Sequence, residues 1–393
     1  MKNIDLVILC GGKGSRLKSF TKKTPKPLLK INNITFLDNL ISYYQKYDFK
    51  NIYLLAGYLG EKIKKKYENK SVNFINLKVI VEKSPKGTGG ALNLIKNKIK
   101  NNFLLINGDS FVEYDLLKFC KLENKFLGKM LLVKNKKYKS NKQLSSLKLL
   151  KKSVSFSNSS NYMNAGVYFF SNKIFHYING KTFSLEKDIL HRLIHKKLIS
   201  GQYTEGYFID IGLKQNLFEA RKNLNKILTK PAVFLDRDGV INKDLGYVGF
   251  YKDFKWKRDT VKFLKFLNKK NYYIFIVTNQ SGIGRGYYTE ADFFNLHSKV
   301  KKYLSKKNIF IDDVKFCPNH PIHGIGKYKV KCKFRKPGNL MIETILKEWN
   351  VKLSSSFMIG DKISDYQCAK KSKLKFYYYN KNIYKELEKK LIK

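Results

Sequence analysis

Val233-Phe234-Leu235-Asp236-Arg237-Asp238-Gly239-Val240-Ile241-Asn242 runs three apolar residues straight into two carboxylates one residue apart, after which Gly239 lets the backbone turn away. The apolar run reads as a buried strand. In an open parallel α/β sheet, ligands bind beyond the carboxyl ends of the strands, which is where Asp236 and Asp238 fall. Residues two apart on extended backbone point the same way, so both carboxylates can face one phosphate. One can attack phosphorus while the other moves the proton of the leaving group. Paired acids on a loop are more often solvated turn residues, so the stretch needs partners elsewhere in the chain.

Three later segments supply them in order: Ile276-Val277-Thr278-Asn279-Gln280-Ser281-Gly282, Phe334-Arg335-Lys336-Pro337, and Met358-Ile359-Gly360-Asp361-Lys362-Ile363-Ser364-Asp365. Each follows an apolar run or opens a helix, and together they bring a hydroxyl, a cation and further carboxylates. From Pro231 to about Lys375 the chain resembles the haloacid dehalogenase superfamily of aspartate-nucleophile phosphatases. The stretch from Thr278 to Arg285 and Arg335-Lys336-Pro337 resemble, more narrowly, the branch that hydrolyses heptose 1,7-bisphosphate and histidinol phosphate. The resemblance implies that Asp236 is the nucleophile and Asp238 the acid and base. It places Thr278 and Lys336 on the phosphoryl oxygens, and magnesium on Asp236, the Asp238 carbonyl and Asp361. A loop starting at Tyr247 and Val248, together with Asn279, Arg285 and Arg335, would face an anionic sugar. No large cap domain fits between these elements.

With 393 residues the chain exceeds the usual single-domain size, and two α/β domains are expected. A net charge of +49 would ordinarily point to nucleic acid, but only seven of the 79 basic residues are arginine and the lysines are spread along the whole length. Nucleic-acid sites favour clustered basic residues with arginine well represented. The excess is therefore read as solvated surface that also attracts phosphorylated substrates, with no specific nucleic-acid partner. Five cysteines without regular spacing give no disulfide framework. The first ten residues hold too short an apolar run for a signal peptide, and no stretch approaches the roughly 20 apolar residues of a membrane span. A cytoplasmic enzyme without membrane insertion is expected.

The first half opens with a second strand and phosphate turn. Leu6-Val7-Ile8-Leu9-Cys10 leads into Gly11-Gly12-Lys13-Gly14-Ser15-Arg16-Leu17, where backbone amides can approach phosphate oxygens and Arg16 can add a charged fork. A plain tight turn would explain the glycines alone. Thr24-Pro25-Lys26-Pro27-Leu28-Leu29 then holds Lys26 in an extended segment. Together these segments resemble the sugar-phosphate nucleotidyltransferases. Strands and helices alternate downstream, with helices read from Phe36 to Tyr47 and Gly90 to Ile99 and strands at Ile52–Ala56 and Leu77–Val81, as a mostly parallel sheet requires.

The nucleotidyltransferase resemblance assigns nucleotide contacts to Gly11, Gly12, Gly14, Glu82, Gly87, Thr88 and Gly89, and charge neutralisation to Lys26 and Arg16. Magnesium would sit on Asp109, at the end of Phe103-Leu104-Leu105-Ile106, and on Asp210. Asn164, Glu186 and Lys187 would contact the sugar, although an ordinary helix start explains the latter two as well. The region 134–162 departs from the family, because the Glu-Lys-Pro triplet often found there is absent.

Relatives of the phosphatase part often hold a structural zinc by Cys-x-His and Cys-x-Cys. Here Cys317 and Cys332 remain, Asn319 and Phe334 replace the other two ligands, and His320 is displaced by one residue. A structural zinc normally needs four N or S ligands, so none is expected unless His320 or His323 substitutes.

The sequence thus predicts two doubly wound, mostly parallel α/β domains. These are a Rossmann-like nucleotidyltransferase over 1–228, a linker at 229–231, and a capless haloacid dehalogenase-like phosphatase over 232–393. The joined resemblances imply removal of the 7-phosphate from D-glycero-D-manno-heptose 1,7-bisphosphate, followed by nucleotidyl transfer, from GTP, to the sugar 1-phosphate. A hexose 1-phosphate nucleotidyltransferase fused to a histidinol-phosphate-type phosphatase is the nearest alternative. A basic nucleic-acid-binding protein on degenerate enzyme folds is another. Base, anomer, oligomeric state and transfer of intermediates between sites stay open.

Overall fold

The computed structural model describes residues 1, 3–134, 146–157, 162–178, 180 and 182–392. Much of the stretch 134–162, where the chain departs from the nucleotidyltransferase pattern, lies outside them. The chain folds into two compact units, residues 1–40 with 49–224 and residues 41–48 with 225–393.

In the first unit, strand Asp5–Leu9 lies between Ile52–Ala56 and Phe103–Asn107 and parallel to both. These strands are apolar at nearly every position because both faces are covered, as buried parallel strands require. Ile75–Val81 extends the sheet in parallel beyond Ile52–Ala56. On the other side Tyr162–Phe170 runs antiparallel to Phe103–Asn107 and to Gly128–Lys134, and Ile199–Tyr203 is parallel to the latter. This reversed strand interrupts the parallel ones, and two short strands nearer the edges, Ser71–Val72 and Ser153–Phe156, are reversed as well. Leu92, Ile95, Phe103, Tyr168, Phe170 and Leu185 pack into one core beside the sheet.

The helix read from Gly90 to Ile99 instead spans Gly87–Asn93. Its start moves back because the amides of Gly89 and Gly90, which have no partner inside a helix's first turn, donate to the Phe183 carbonyl at 3.1 and 3.4 Å.

The second unit is a five-stranded sheet in the order Asp313–Cys317, Tyr273–Asn279, Ala232–Leu235, Phe357–Gly360, Lys375–Tyr378. All its pairings are parallel. Chain order leaves the central strand Ala232–Leu235 in one direction first and then returns to its other side, which creates a topological switch point at its carboxyl end. Helices Thr260–Lys269, Glu290–Ser305, Leu340–Glu348 and Ile363–Lys371 connect the strands. Phe234, Phe275, Val277, Met341, Ile345 and Met358 form a core on one face. No helix of the described residues is long and apolar enough to cross a membrane.

Candidate active sites

The switch point of the second unit gathers the acids and the lysine read from sequence. Asp236 follows the central strand and is 6% exposed. Its Oδ1 accepts the Arg237 amide at 2.7 Å and lies 2.9 Å from Lys336 Nζ. Lys336 Nζ reaches on to Asp365 Oδ1 at 2.6 Å. Burial pushes the Asp236 carboxyl up to about 7, with Lys336 pulling it down and Asp365 and Asp238 adding to the rise. Burial alone would lower the Lys336 ammonium, but the carboxylates of Asp236 and Asp365 outweigh it and hold the ammonium above its usual range. One buried cation therefore serves two buried anions, and the local excess is negative.

Carboxylate oxygens of Asp236, Asp361 and Asp365 lie within 4.8 Å of one another, and this is the one such His/Cys/Asp/Glu group among the described residues. Asp361 is raised by burial, against Lys362 and with Asp365. Gly239 is held at φ +86°, and a Cβ there would stand 2.1 Å from Asp361 Oδ2, so only glycine lets the loop after Asp236 lie against this aspartate. Asp365 belongs to the quoted Gly360-to-Asp365 stretch but is absent from the metal set read from sequence. Its spacing alone does not tell that the first turn of helix Ile363–Lys371 buries it completely.

Asp238 points to different partners. Its Oδ1 accepts from Arg237 Nε at 3.1 Å and from Asn242 Nδ2 at 2.9 Å, and its Oδ2 from Gln280 Nε2 at 2.9 Å. Arg237 is fully buried, pairing with Asp238 at 2.8 Å and also donating to the Val248 carbonyl. Sequence reasoning passed over Arg237, Asn242 and Gln280. The only available signal was an arginine between two acids beside a strand, a place where a free cation would not be buried without a partner.

Thr278 is 1% exposed, and a cavity of about 620 Å³ opens above it, lined among others by Tyr247, Arg285, Arg335, Lys336 and Asp238. The Arg285 guanidinium lies 5.4 Å from the Tyr247 ring centroid, and Arg335 donates to the Asn319 carbonyl at 3.1 Å. Burial lowers the Arg335 guanidinium, and neighbouring Arg285 adds to it. Two cations thus share one end of the cavity. Asn279 lines the cavity too, but its amide is spent on the Lys336 backbone, donating to the carbonyl at 3.1 Å and accepting from the N–H at 3.0 Å. Residues 281–284 form a helical turn that includes Gly282 and Gly284.

In the neighbouring loop, Cys317 and Cys332 sulfurs stand 3.7 Å apart, and Asn319 donates to Cys332 Sγ at 3.4 Å. Nδ1 of His320 accepts from the backbone of Ile322 and His323 at 3.2 and 3.0 Å.

In the first unit, Lys26 Nζ meets Asp109 Oδ2 at 2.7 Å. Burial lowers the Lys26 ammonium, but Asp109 and Asp210 outweigh it and raise it. Asp109 and Asp210, far apart in sequence, are brought together by an antiparallel ribbon of Ser110–Val112 with Phe208–Asp210, in which Asp210 pairs with Ser110. Burial and the Asp109 charge push Asp210 up to about 6, against Lys26, the Gly212 N–H and Arg16. Arg16 sits close by, since a Cβ on Gly212 would lie 3.2 Å from its guanidinium.

Gly11 and Glu82 converge on Gly57, which sequence reasoning left out. A Cβ on Gly57 would stand 2.8 Å from the Gly11 backbone and 2.9 Å from Glu82 Oε2, whereas Gly12 has open space beside it and Gly14 adopts φ +62°. Burial raises the Glu82 carboxyl, with Lys86 acting against it. Gly87 and Gly89 lie under Phe183, where Cβ atoms would come within 2.4 and 2.3 Å of it. Thr88 donates to Glu186 Oε2 at 2.7 Å. These three residues therefore anchor the 183–186 segment. The Asn164 side chain bonds to the Tyr168 hydroxyl and the Gly166 amide. The Lys187 amide donates to the Ser184 hydroxyl at 3.2 Å, while its side chain is exposed.

A family model for nucleotidyl transferases matches residues 6–227, and one described as polynucleotide kinase 3 phosphatase matches 233–387. Two curated relatives are similar to the C-terminal part. A D-glycero-beta-D-manno-heptose-1,7-bisphosphate 7-phosphatase of Rhodopseudomonas palustris is 44% identical over 141 residues, covering 36% of this chain and 78% of the relative. A D-glycero-alpha-D-manno-heptose-1,7-bisphosphate 7-phosphatase of Burkholderia mallei is 46% identical over 138 residues, covering 35% and 73%. Among solved structures, HddC from Yersinia pseudotuberculosis is 29% identical with a TM-score of 0.49, covering 56% of this chain and 99% of that one.

Proposed function

We propose, from the premise that this chain belongs to the nucleotidyl transferase family over residues 6–227 and to the family of the heptose-1,7-bisphosphate 7-phosphatases over its C-terminal part, that it performs two consecutive steps of nucleotide-activated heptose synthesis. Residues 1–228 form the transferase domain, 229–231 the linker and 232–393 the phosphatase domain. The observation that carries the reading is the buried Asp236–Lys336–Asp365 triad at the floor of a cavity that also presents Arg285 and Arg335. Such a cavity can take a sugar with a phosphate at each end, one at the nucleophile and one at the arginines.

In the phosphatase step, Asp236 attacks phosphorus as the bond to the C7 oxygen breaks, and Asp238 gives that oxygen its proton. Asp238 then takes a proton from water, whose oxygen attacks the phosphoaspartate and frees Asp236 and inorganic phosphate. Thr278 and Lys336 hold the phosphoryl oxygens. In the transferase step, an oxygen of heptose 1-phosphate attacks the α-phosphorus of the nucleoside triphosphate and pyrophosphate leaves. Lys26 and Arg16 neutralise the charge that develops. The nucleoside triphosphate is taken to be GTP, as the resemblance of the joined domains to a heptose 1-phosphate guanylyltransferase with a heptose bisphosphate phosphatase implies.

Magnesium fits both sites, because acids crowd there beyond what Lys336 and Lys26 can neutralise. Asp236, the Asp238 carbonyl and Asp361 would hold it in the phosphatase, and Asp109 and Asp210 in the transferase. When bound it supplies hard positive charge to phosphate oxygens. The reading includes no structural zinc, since Asn319 and Phe334 stand at two ligand positions and His320 Nδ1 already accepts two backbone N–H groups.

Because burial keeps a proton on Asp236 up to about pH 7, magnesium binding to the phosphatase must displace it. Affinity is expected to fall about tenfold per pH unit below 7 and to level off above it. Calorimetric titrations between about pH 5.5 and 8 check this, and a flat affinity across that range would refute it.

Mass spectrometry of products from a panel of sugar bisphosphates and the four nucleoside triphosphates tests the function itself. Loss of the 7-phosphate from heptose 1,7-bisphosphate, with pyrophosphate released from GTP when the product is supplied, is expected. Turnover confined to histidinol phosphate and hexose 1-phosphates would replace the reading with its nearest rival.

A further inference from the structure

Gln280 lies just past strand Tyr273–Asn279, is 1% exposed, and is tied by its backbone N–H to the Cys317 carbonyl at 2.7 Å. Its side chain bridges two groups of the phosphatase step. The amide nitrogen donates to Asp238 Oδ2 and to Thr278 Oγ1, both at 2.9 Å. The amide oxygen accepts from the Tyr288 hydroxyl at 2.6 Å.

A carboxamide has one accepting and one donating end, so the Tyr288 proton determines which end faces Asp238. Burial pushes the Tyr288 hydroxyl up to about 12, and it keeps the proton it donates. The Tyr288 ring is itself wedged between two glycines, because Cβ atoms on Gly249 and Gly282 would come within 2.2 and 2.4 Å of it. On the far side Asp238 is gripped by Arg237 and Asn242. Thr278 Oγ1, already accepting from Gln280, must send its own proton elsewhere.

We propose that Gln280, locked by Tyr288, is a positioning residue that holds the Asp238 carboxyl at the leaving oxygen. The inference rests on the reading of Asp238 as acid and base. A sugar alkoxide is a poor leaving group and needs the Asp238 proton as the P–O bond breaks, whereas p-nitrophenolate is stable as the anion at neutral pH and leaves without it. Misplacing Asp238 should therefore penalise the sugar ester selectively.

The test compares kcat/KM, which covers the steps up to the phosphoenzyme, for heptose 1,7-bisphosphate and p-nitrophenyl phosphate in the full-length magnesium-loaded protein. Gln280→Leu should lower the value for the sugar bisphosphate about 10- to 100-fold and that for the aryl ester less than about threefold. Tyr288→Phe, which removes a single oxygen, should show the same selectivity with a smaller loss, and it carries the test if Gln280→Leu fails to fold. Equal losses on both substrates, or no loss on either, would overturn the role of Gln280 alone. A wild-type protein inactive on both esters would overturn the phosphatase reading and this inference with it.

Discussion

Asp236→Asn is expected to abolish phosphate release from heptose 1,7-bisphosphate, by roughly 10⁴-fold or more, while nucleotidyl transfer to supplied heptose 1-phosphate stays within about twofold of wild type. The amide removes the proposed nucleophile but little else. Its carbonyl oxygen can still accept the Arg237 N–H that now lies 2.7 Å from Oδ1, and the variant loses one member of a crowded group of acids. Thermal stability should therefore hold or rise slightly. Asp109→Ala is the mirror experiment, ending transfer and sparing phosphate release, because Asp109 pairs with Lys26 in the other unit. Coupled phosphate and pyrophosphate assays on both variants read the result. Loss of both activities in either variant, with folding intact, would refute independent sites.

Lys336→Met should combine a large loss of activity with a large loss of stability. The ammonium is buried between Asp236 and Asp365 at 2.9 and 2.6 Å, and Asp365 is itself fully buried. Removing the shared cation leaves two buried carboxylates without a counter-charge, held only by the Arg237 and Lys362 amides, which costs about 3–5 kcal/mol. For a unit of this size that corresponds to a drop of roughly 10 °C in its melting transition. Phosphate release should fall by roughly 10²–10³-fold or more, since in the proposed step the cation also holds the phosphoryl group. Adding Asp365→Asn to Lys336→Met should recover part of the stability and none of the activity, because it removes one stranded charge without restoring the cation. Calorimetry with phosphate-release assays decides this. A Lys336→Met protein as stable as wild type would show that water already reaches the two carboxylates.

What the sequence by itself determined is local. An apolar run that ends in polar residues places those residues at the carboxyl end of a buried strand, so Asp236, Asp238, Thr278 and Asp109 could be positioned without knowing their neighbours. The parallel α/β class followed from the same runs, since only strands covered on both faces are apolar throughout. Side-chain partners were not legible, because they depend on which elements cross and in what register. Asn279, read as a substrate contact, holds the Lys336 backbone. Asp365 enters the acid cluster only because its helix is packed with that turn inward. Gly57 is required only because the Gly11 backbone and Glu82 come to lie against it. The Asp109–Asp210 pair exists only because a two-stranded ribbon sets Asp210 opposite Ser110. Arg237, passed over in the sequence, is made the clamp on Asp238 by tertiary burial. A hydrogen bond or ion pair between distant residues is a property of two surfaces meeting, and neither surface carries it alone.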